Sequence, residues 1–149
     1  MFRSLVAAVL LNTITTGAAL ACPSASNRSA VDIYPSGDTV PANLLRIYIY
    51  FPSPMSPQVG ASDIELYSTQ GERIDDVFLP NRYDLWSADR TRLTLLLNPG
   101  RVMTGLDAHE QLGRALVEGQ TVTLKIPATL KGQLGCSLAQ SIEKTYAIG

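Results

Sequence analysis

The chain reads as an all-β domain, two antiparallel sheets packed as a sandwich of about seven strands. Three observations lead there. Apolar residues recur at every second position in short segments, at Leu45, Ile47, Ile49 and Phe51, at Leu93, Leu95 and Leu97, and at Val122, Leu124 and Ile126. That period belongs to a pleated strand with one apolar side. Proline, glycine and asparagine break the chain between these segments, and no long segment carries a helical repeat. With 46% hydrophobic and 17% charged residues, the 149-residue chain has the composition of one globular domain, which sets disorder aside.

Residues 1–21 have the layout of a secretory signal. Arg3 supplies the positive end, residues 5–11 an apolar run, and Ala19 and Ala21 the small residues at the −3 and −1 positions of a cut. Asn12, Thr13, Thr15 and Thr16 interrupt the run well short of the roughly 20 apolar residues of a spanning helix. The expectation is an exported chain of the periplasm or cell envelope, without a transmembrane span in its mature part. All 13 acidic residues but only 11 of the 12 basic ones lie beyond Ala21, a net charge of −2 with no basic run. Nucleic acid and anionic lipid surfaces are therefore not expected partners.

Residues 22–30, small and polar, read as a flexible lead, and the sandwich is assigned to residues 31–149. Its first strand, 31–34, ends at Pro35-Ser36-Gly37-Asp38. The strongest strand, 44–51, is bounded by Pro41 before it and by Pro52, Pro54 and Pro57 after it, because proline cannot donate to a ladder. Strand 63–67 follows a proline-broken loop. Ser68-Thr69-Gln70-Gly71 then turns the chain, and 72–78 reads as its hairpin partner. Residues 83–86 lead into a polar turn at 87–91. Strand 93–98 stops at Pro99-Gly100. Across 101–119 the pattern is weak; Gly105, Gly113 and Gly119 leave room only for a helical turn near 108–112. Strands 121–126, closed by Pro127, and 142–148 complete the set.

Three runs carry a resemblance: Tyr34-Pro35-Ser36-Gly37, Val40-Pro41-Ala42-Asn43-Leu44-Leu45-Arg46-Ile47 and Phe51-Pro52-Ser53-Pro54-Met55. They resemble the bacterial immunoglobulin-like domain of the surface-layer protein type, over about residues 31–148. Leu95-Leu96-Leu97-Asn98-Pro99-Gly100-Arg101-Val102 and Glu118-Gly119-Gln120-Thr121-Val122-Thr123-Leu124 are similar to a subgroup of small exported bacterial proteins of that type. The resemblance implies an immunoglobulin-like sandwich and brings no catalytic residues with it. The Cys and Trp spacing of antibody domains is absent.

Cys22 and Cys136 are the two cysteines. An even count in an exported chain favours a disulfide. Ala18-Ala19-Leu20-Ala21-Cys22 also resembles a permissive bacterial lipobox, in which Cys22 would carry a lipid anchor; two free thiols are the third reading. His109, beside Asp107 and Glu110, is the sole histidine. A copper-type carrier would need a histidine and methionine set, and Met55 and Met103 stand apart, so a surface histidine is the expectation. The carboxylates Asp63, Glu65, Asp75, Asp76, Asp84 and Asp89 lack the spacing of a calcium loop. Neither Gly-x-Ser-x-Gly nor a phosphate-binding glycine loop occurs.

Arg46, Tyr48 and Tyr50 share, with Leu44, the non-core side of strand 44–51. They are either packed beneath a neighbour or exposed as a surface for a protein or glycan. Trp86, near Arg82 and Arg90, has two readings too, a core plug or a cation–π patch. The expected function is a non-enzymatic extracytoplasmic module with a structural or protein-interaction role, acting on an envelope or extracellular protein without cofactor or metal. A periplasmic copper carrier using His109 is the alternative.

Overall fold

Apolar side chains alternate along the longer of seven strands and gather on two facing sides, in a computed structural model that describes residues 22–79, 85–103 and 105–149. Residues 1–21, read above as a signal, and residues Arg82, Tyr83 and Asp84 lie outside the described residues. In chain order the strands are β1 (Asp32–Tyr34), β2 (Thr39–Val40), β3 (Arg46–Tyr50), β4 (Glu65–Tyr67), β5 (Arg92–Leu96), β6 (Thr121–Ile126) and β7 (Ile142–Ile148). One sheet has the order β1-β3-β5, all antiparallel. The other runs β2-β7-β6-β4, antiparallel except where β2 lies parallel to β7. Helices are short: α1 (Ala25–Arg28), α2 (Pro99–Val102) and α3 (Asp107–Leu112). The architecture is mostly β in two sheets, as expected of an all-β sandwich.

Register explains the core. Ile47 stands opposite Leu95 and Ile49 opposite Leu93, and all four are buried. From the second sheet Leu66, Val122, Leu124, Ile126, Tyr146 and Ile148 join the same cluster. Each such side chain contributes roughly 1.5 to 3 kcal/mol on burial, so the alternation along these strands holds the two layers together.

Leu45 departs from the expected inward row and is 52% exposed. The Leu44 amide donates to the Pro41 carbonyl at 3.1 Å, so a turn ends just before the ladder and alternation starts at Arg46. Leu44, expected on the outer side, packs against the core instead. Residues 72–78 are not a continuous strand. Arg73 bridges Tyr67 of β4, and the Ile74 amide donates to Leu66. After Asp76, whose φ of 50° turns the chain, Phe78 bridges Leu97 beside β5. The segment thus steps from one sheet to the other. β2 escaped the sequence because two residues show no period.

The polar lead contains α1, capped by the Ser24 side chain, yet α1 buries no residue. Among the described residues, hydrogen bonds of 22–30 all close within 22–31. Beyond the chain itself, this lead is tied to the body by a Cys22–Cys136 bridge, with Cα atoms 5.7 Å apart and a sequence separation of 114. Tyr146 makes a second tie, its hydroxyl donating to the Pro35 carbonyl at 2.7 Å where the chain crosses from β1 to β2.

Two outcomes follow from these ties. Reduction, or Cys136→Ser, should lower unfolding free energy by up to about 4.7 kcal/mol, the loop-entropy limit near 100 residues, read from denaturant midpoints with and without reductant. Burial pushes the Tyr146 hydroxyl up to about 12 from 10.0. A raised folded value means that the stabilisation is complete below pH 10 and is lost as pH rises toward 12. Tyr146→Phe should therefore flatten the fall in melting temperature over that window.

Candidate interaction face

The outer side of the three-stranded sheet gathers tyrosines and arginines. β3 carries Arg46, Tyr48 and Tyr50 outward because Ile47 and Ile49 point inward. Strand pairing then adds residues remote in sequence. Tyr34 of β1 stands opposite Tyr48, and Tyr50 lies between Asp32 of β1 and Arg92 of β5. The Tyr34 and Tyr48 rings are 6.2 Å apart at 46°. The Arg92 guanidinium lies 5.9 Å over the Tyr48 ring, and Arg46 Nη1 donates to the Tyr48 hydroxyl at 3.4 Å. Tyr48 is half-buried under these neighbours, whereas Tyr34 and Tyr50 are 58% and 43% exposed.

Both sequence readings of this strand are therefore partly realised, a packed Tyr48 and an exposed Tyr50. Tyr34 and Arg92 are the residues that sequence reasoning missed. Tyr34 ends a strand that was legible and Arg92 stands one residue before the strand read at 93–98, but only the register β1-β3-β5 makes them neighbours of Tyr48.

The other singled-out groups take structural positions. Trp86 packs 5.7 Å from Phe51, donates its indole N–H to the Val59 carbonyl at 3.0 Å and carries the Arg90 guanidinium 4.6 Å from its ring. Arg90 in turn donates Nε to Met55 and Nη2 to Ser56, closing the proline-broken loop. Plug and cation–π contact are one arrangement here. Asp63 accepts from the Gly60 amide, Glu65 from the Tyr67 hydroxyl, and Asp75 pairs with Arg73 at 3.0 Å. Asp38 is held below its usual range by a hydrogen bond and charge from Lys144. Asp89 accepts from Ser87 and Thr91, which lowers its carboxyl to about 2.

His109 falls in α3, and its side chain lies outside the described residues. Among the described residues no three His, Cys, Asp or Glu side chains gather as a metal group. An apolar cleft of about 340 Å³ lies between α1 and the loops holding Met55 and Leu138, with the disulfide in its wall. No described helix is long and apolar enough to cross a membrane. The disulfide indicates an oxidising, extracytoplasmic environment. Compared with protein-family models, curated proteins and solved structures, the chain matches none.

The carboxylate geometry yields a titration. Asp89 should show a midpoint of about 2 by carbon-detected NMR. Its value is depressed, so the turn at 87–91 is fully supported above the ordinary 3.8 and loosens as pH falls toward 2. Asp89→Asn should remove that acid-dependent loosening, read from amide exchange in the same turn.

Proposed function

We propose that this chain is an extracytoplasmic immunoglobulin-like module of the periplasm or cell envelope, which binds a protein through Tyr34, Arg46, Tyr48, Tyr50 and Arg92 and performs no catalysis. The exposed tyrosines, flanked by two guanidinium groups, are the observation that carries this reading. Tyrosine and arginine lead the residues that anchor protein interfaces, since each joins a large contact area to a polar end. Tyr48 packed beneath Tyr34 and Arg92 pre-orients part of the surface, which reduces the ordering cost on association.

Strand distribution supports the immunoglobulin-like part. In such domains the first, second and fifth main strands share one sheet and the third, sixth and seventh the other. Here β1, β3 and β5 form one sheet, while β4, β6 and β7 lie together in the second. A short fourth strand at the β5 edge has its counterpart in the Trp86–Leu93 bridge. The exported location rests on the signal layout and the disulfide. The Cys22 sulfur that a lipid anchor would require is joined to Cys136, so the reading carries a bridge and not an acyl group.

The test is capture from envelope extracts with the mature protein and with a Tyr34→Ala/Tyr50→Ala variant. The variant should keep its melting temperature to within a few degrees, because both side chains face solvent, and should lose capture by at least about tenfold, as anchor truncations do. Equal capture by the two proteins sinks the assignment of this face. Intact mass of the exported form should be two hydrogens below the reduced chain; added acyl mass at Cys22 contradicts the bridge.

A further inference from the structure

Arg101 is the one charged residue buried in the described core, only 5% exposed. Asn98 caps α2, with its side-chain oxygen accepting from the Gly100 amide, and this turn aims the Arg101 side chain inward. Its Nη1 donates to the carbonyls of Leu112 and Gly113 at the end of α3. Its Nε is buried with no acceptor. Among the described residues no carboxylate stands within ion-pair distance of it, and Asp75 is engaged by Arg73. Burial pulls the guanidinium below its ordinary 12.5, and the more distant Asp76 and Asp75 offset this only in part.

A buried cation without a counter-charge is costly, so proteins pair such groups or surround them with acceptors. Capping α3 engages one nitrogen and leaves the Nε side of the fork unmet. Arg101 also lines a cleft of about 300 Å³. Its other walls hold Arg114, which makes no ion pair or hydrogen bond among the described residues, with Ser68 and Gln120 as neutral donors. Arg73, Asp75 and Glu72 stand at the same cleft, Asp75 already paired with Arg73, and three guanidinium groups against two carboxylates leave a balance that favours a small anion over a highly charged one.

We propose that this cleft binds a small oxyanion, a carboxylate or phosphate group, held between the Arg101 and Arg114 guanidinium groups with Ser68 and Gln120 donating from the side. The planar fork of arginine matches two oxygens of such a group, which supplies Nε with its missing acceptor. The site involves the turn after β4, the approach to β6 and the α2–α3 region, so it stands independently of the tyrosine face.

Amide and arginine Nε–H spectra of the mature protein, titrated with sodium phosphate and separately with sodium acetate against sodium chloride at constant ionic strength, test this. The expected result is saturable movement of the Arg101 Nε–H and of the Ala115 and Gln120 amides. Response to phosphate alone identifies a phosphoryl ligand, and response to acetate a carboxylate. Arg114→Gln, which removes a side chain with no structural partner, should weaken binding about tenfold, the loss of one charge-assisted contact. Arg101→Lys should do the same while keeping a charge; if that variant does not fold, Arg114→Gln and Gln120→Ala carry the comparison. Linear, chloride-like shifts with both salts, or binding unchanged in Arg114→Gln, overturn the proposal.

Discussion

Mutual covering of two apolar sheet faces is the constraint on which the rest of the structure depends. Ile47, Ile49, Leu93 and Leu95 on one sheet, and Leu66, Val122, Leu124 and Ile126 on the other, are each nearly inaccessible to water. Either row alone would be exposed, and burial of that area is the dominant favourable term in folding. Once the rows face each other, every second residue along the strands must look outward. The tyrosine and arginine face follows from the same alternation that builds the core.

Two layers also require the chain to pass between them, and polar groups are concentrated at these passages. Between β1 and β2 the Pro35 carbonyl takes the Tyr146 hydroxyl, while Lys144 reaches the Ser36 carbonyl and Asp38. Between β4 and β5, residues 72–79 bond first to Leu66 and then to Leu96 and Asn98. At the opposite loops Arg90 satisfies the carbonyls of Met55 and Ser56. Backbone groups that leave a ladder need partners elsewhere, and these side chains supply them. Many of the chain's charges are therefore occupied in holding turns.

That occupation bears on function. Asp63, Glu65, Asp75 and Asp89 each accept from a named neighbour, which leaves them as parts of turns and hairpins. The groups without such duties lie elsewhere, at the exposed Tyr34 and Tyr50, at Arg114 and at the Nε of Arg101, whose Nη1 caps α3. The recognition we propose, by contact on one face and by charge in one recess, suits what these groups can do.

Strands with several alternating residues were legible, because a period of two over five or more positions, as in β3, β5, β6 and β7, survives without knowledge of any partner. The helical turn at α3 was legible as well, from the glycines that confine it. Local pattern could not reach β2, whose two residues are extended only because β7 lies beside them. Nor could it show that Leu45 faces water, since a turn at Pro41 shifts where the alternation begins. The candidate face was half visible: Arg46, Tyr48 and Tyr50 share one strand, whereas Tyr34 and Arg92 join them through pairing across 14 and 44 positions, from Tyr34 to Tyr48 and from Tyr48 to Arg92. Arg101 was not visible at all, because a charged residue in a glycine-broken stretch reads as solvated until the ends of α2 and α3 close around it. Residue order alone determined the strands that alternate over five or more positions, the prolines and glycines that bound them, and the two cysteines. Register, crossings and burial were decided by tertiary structure, because each depends on segments distant in the chain competing to exclude the same water.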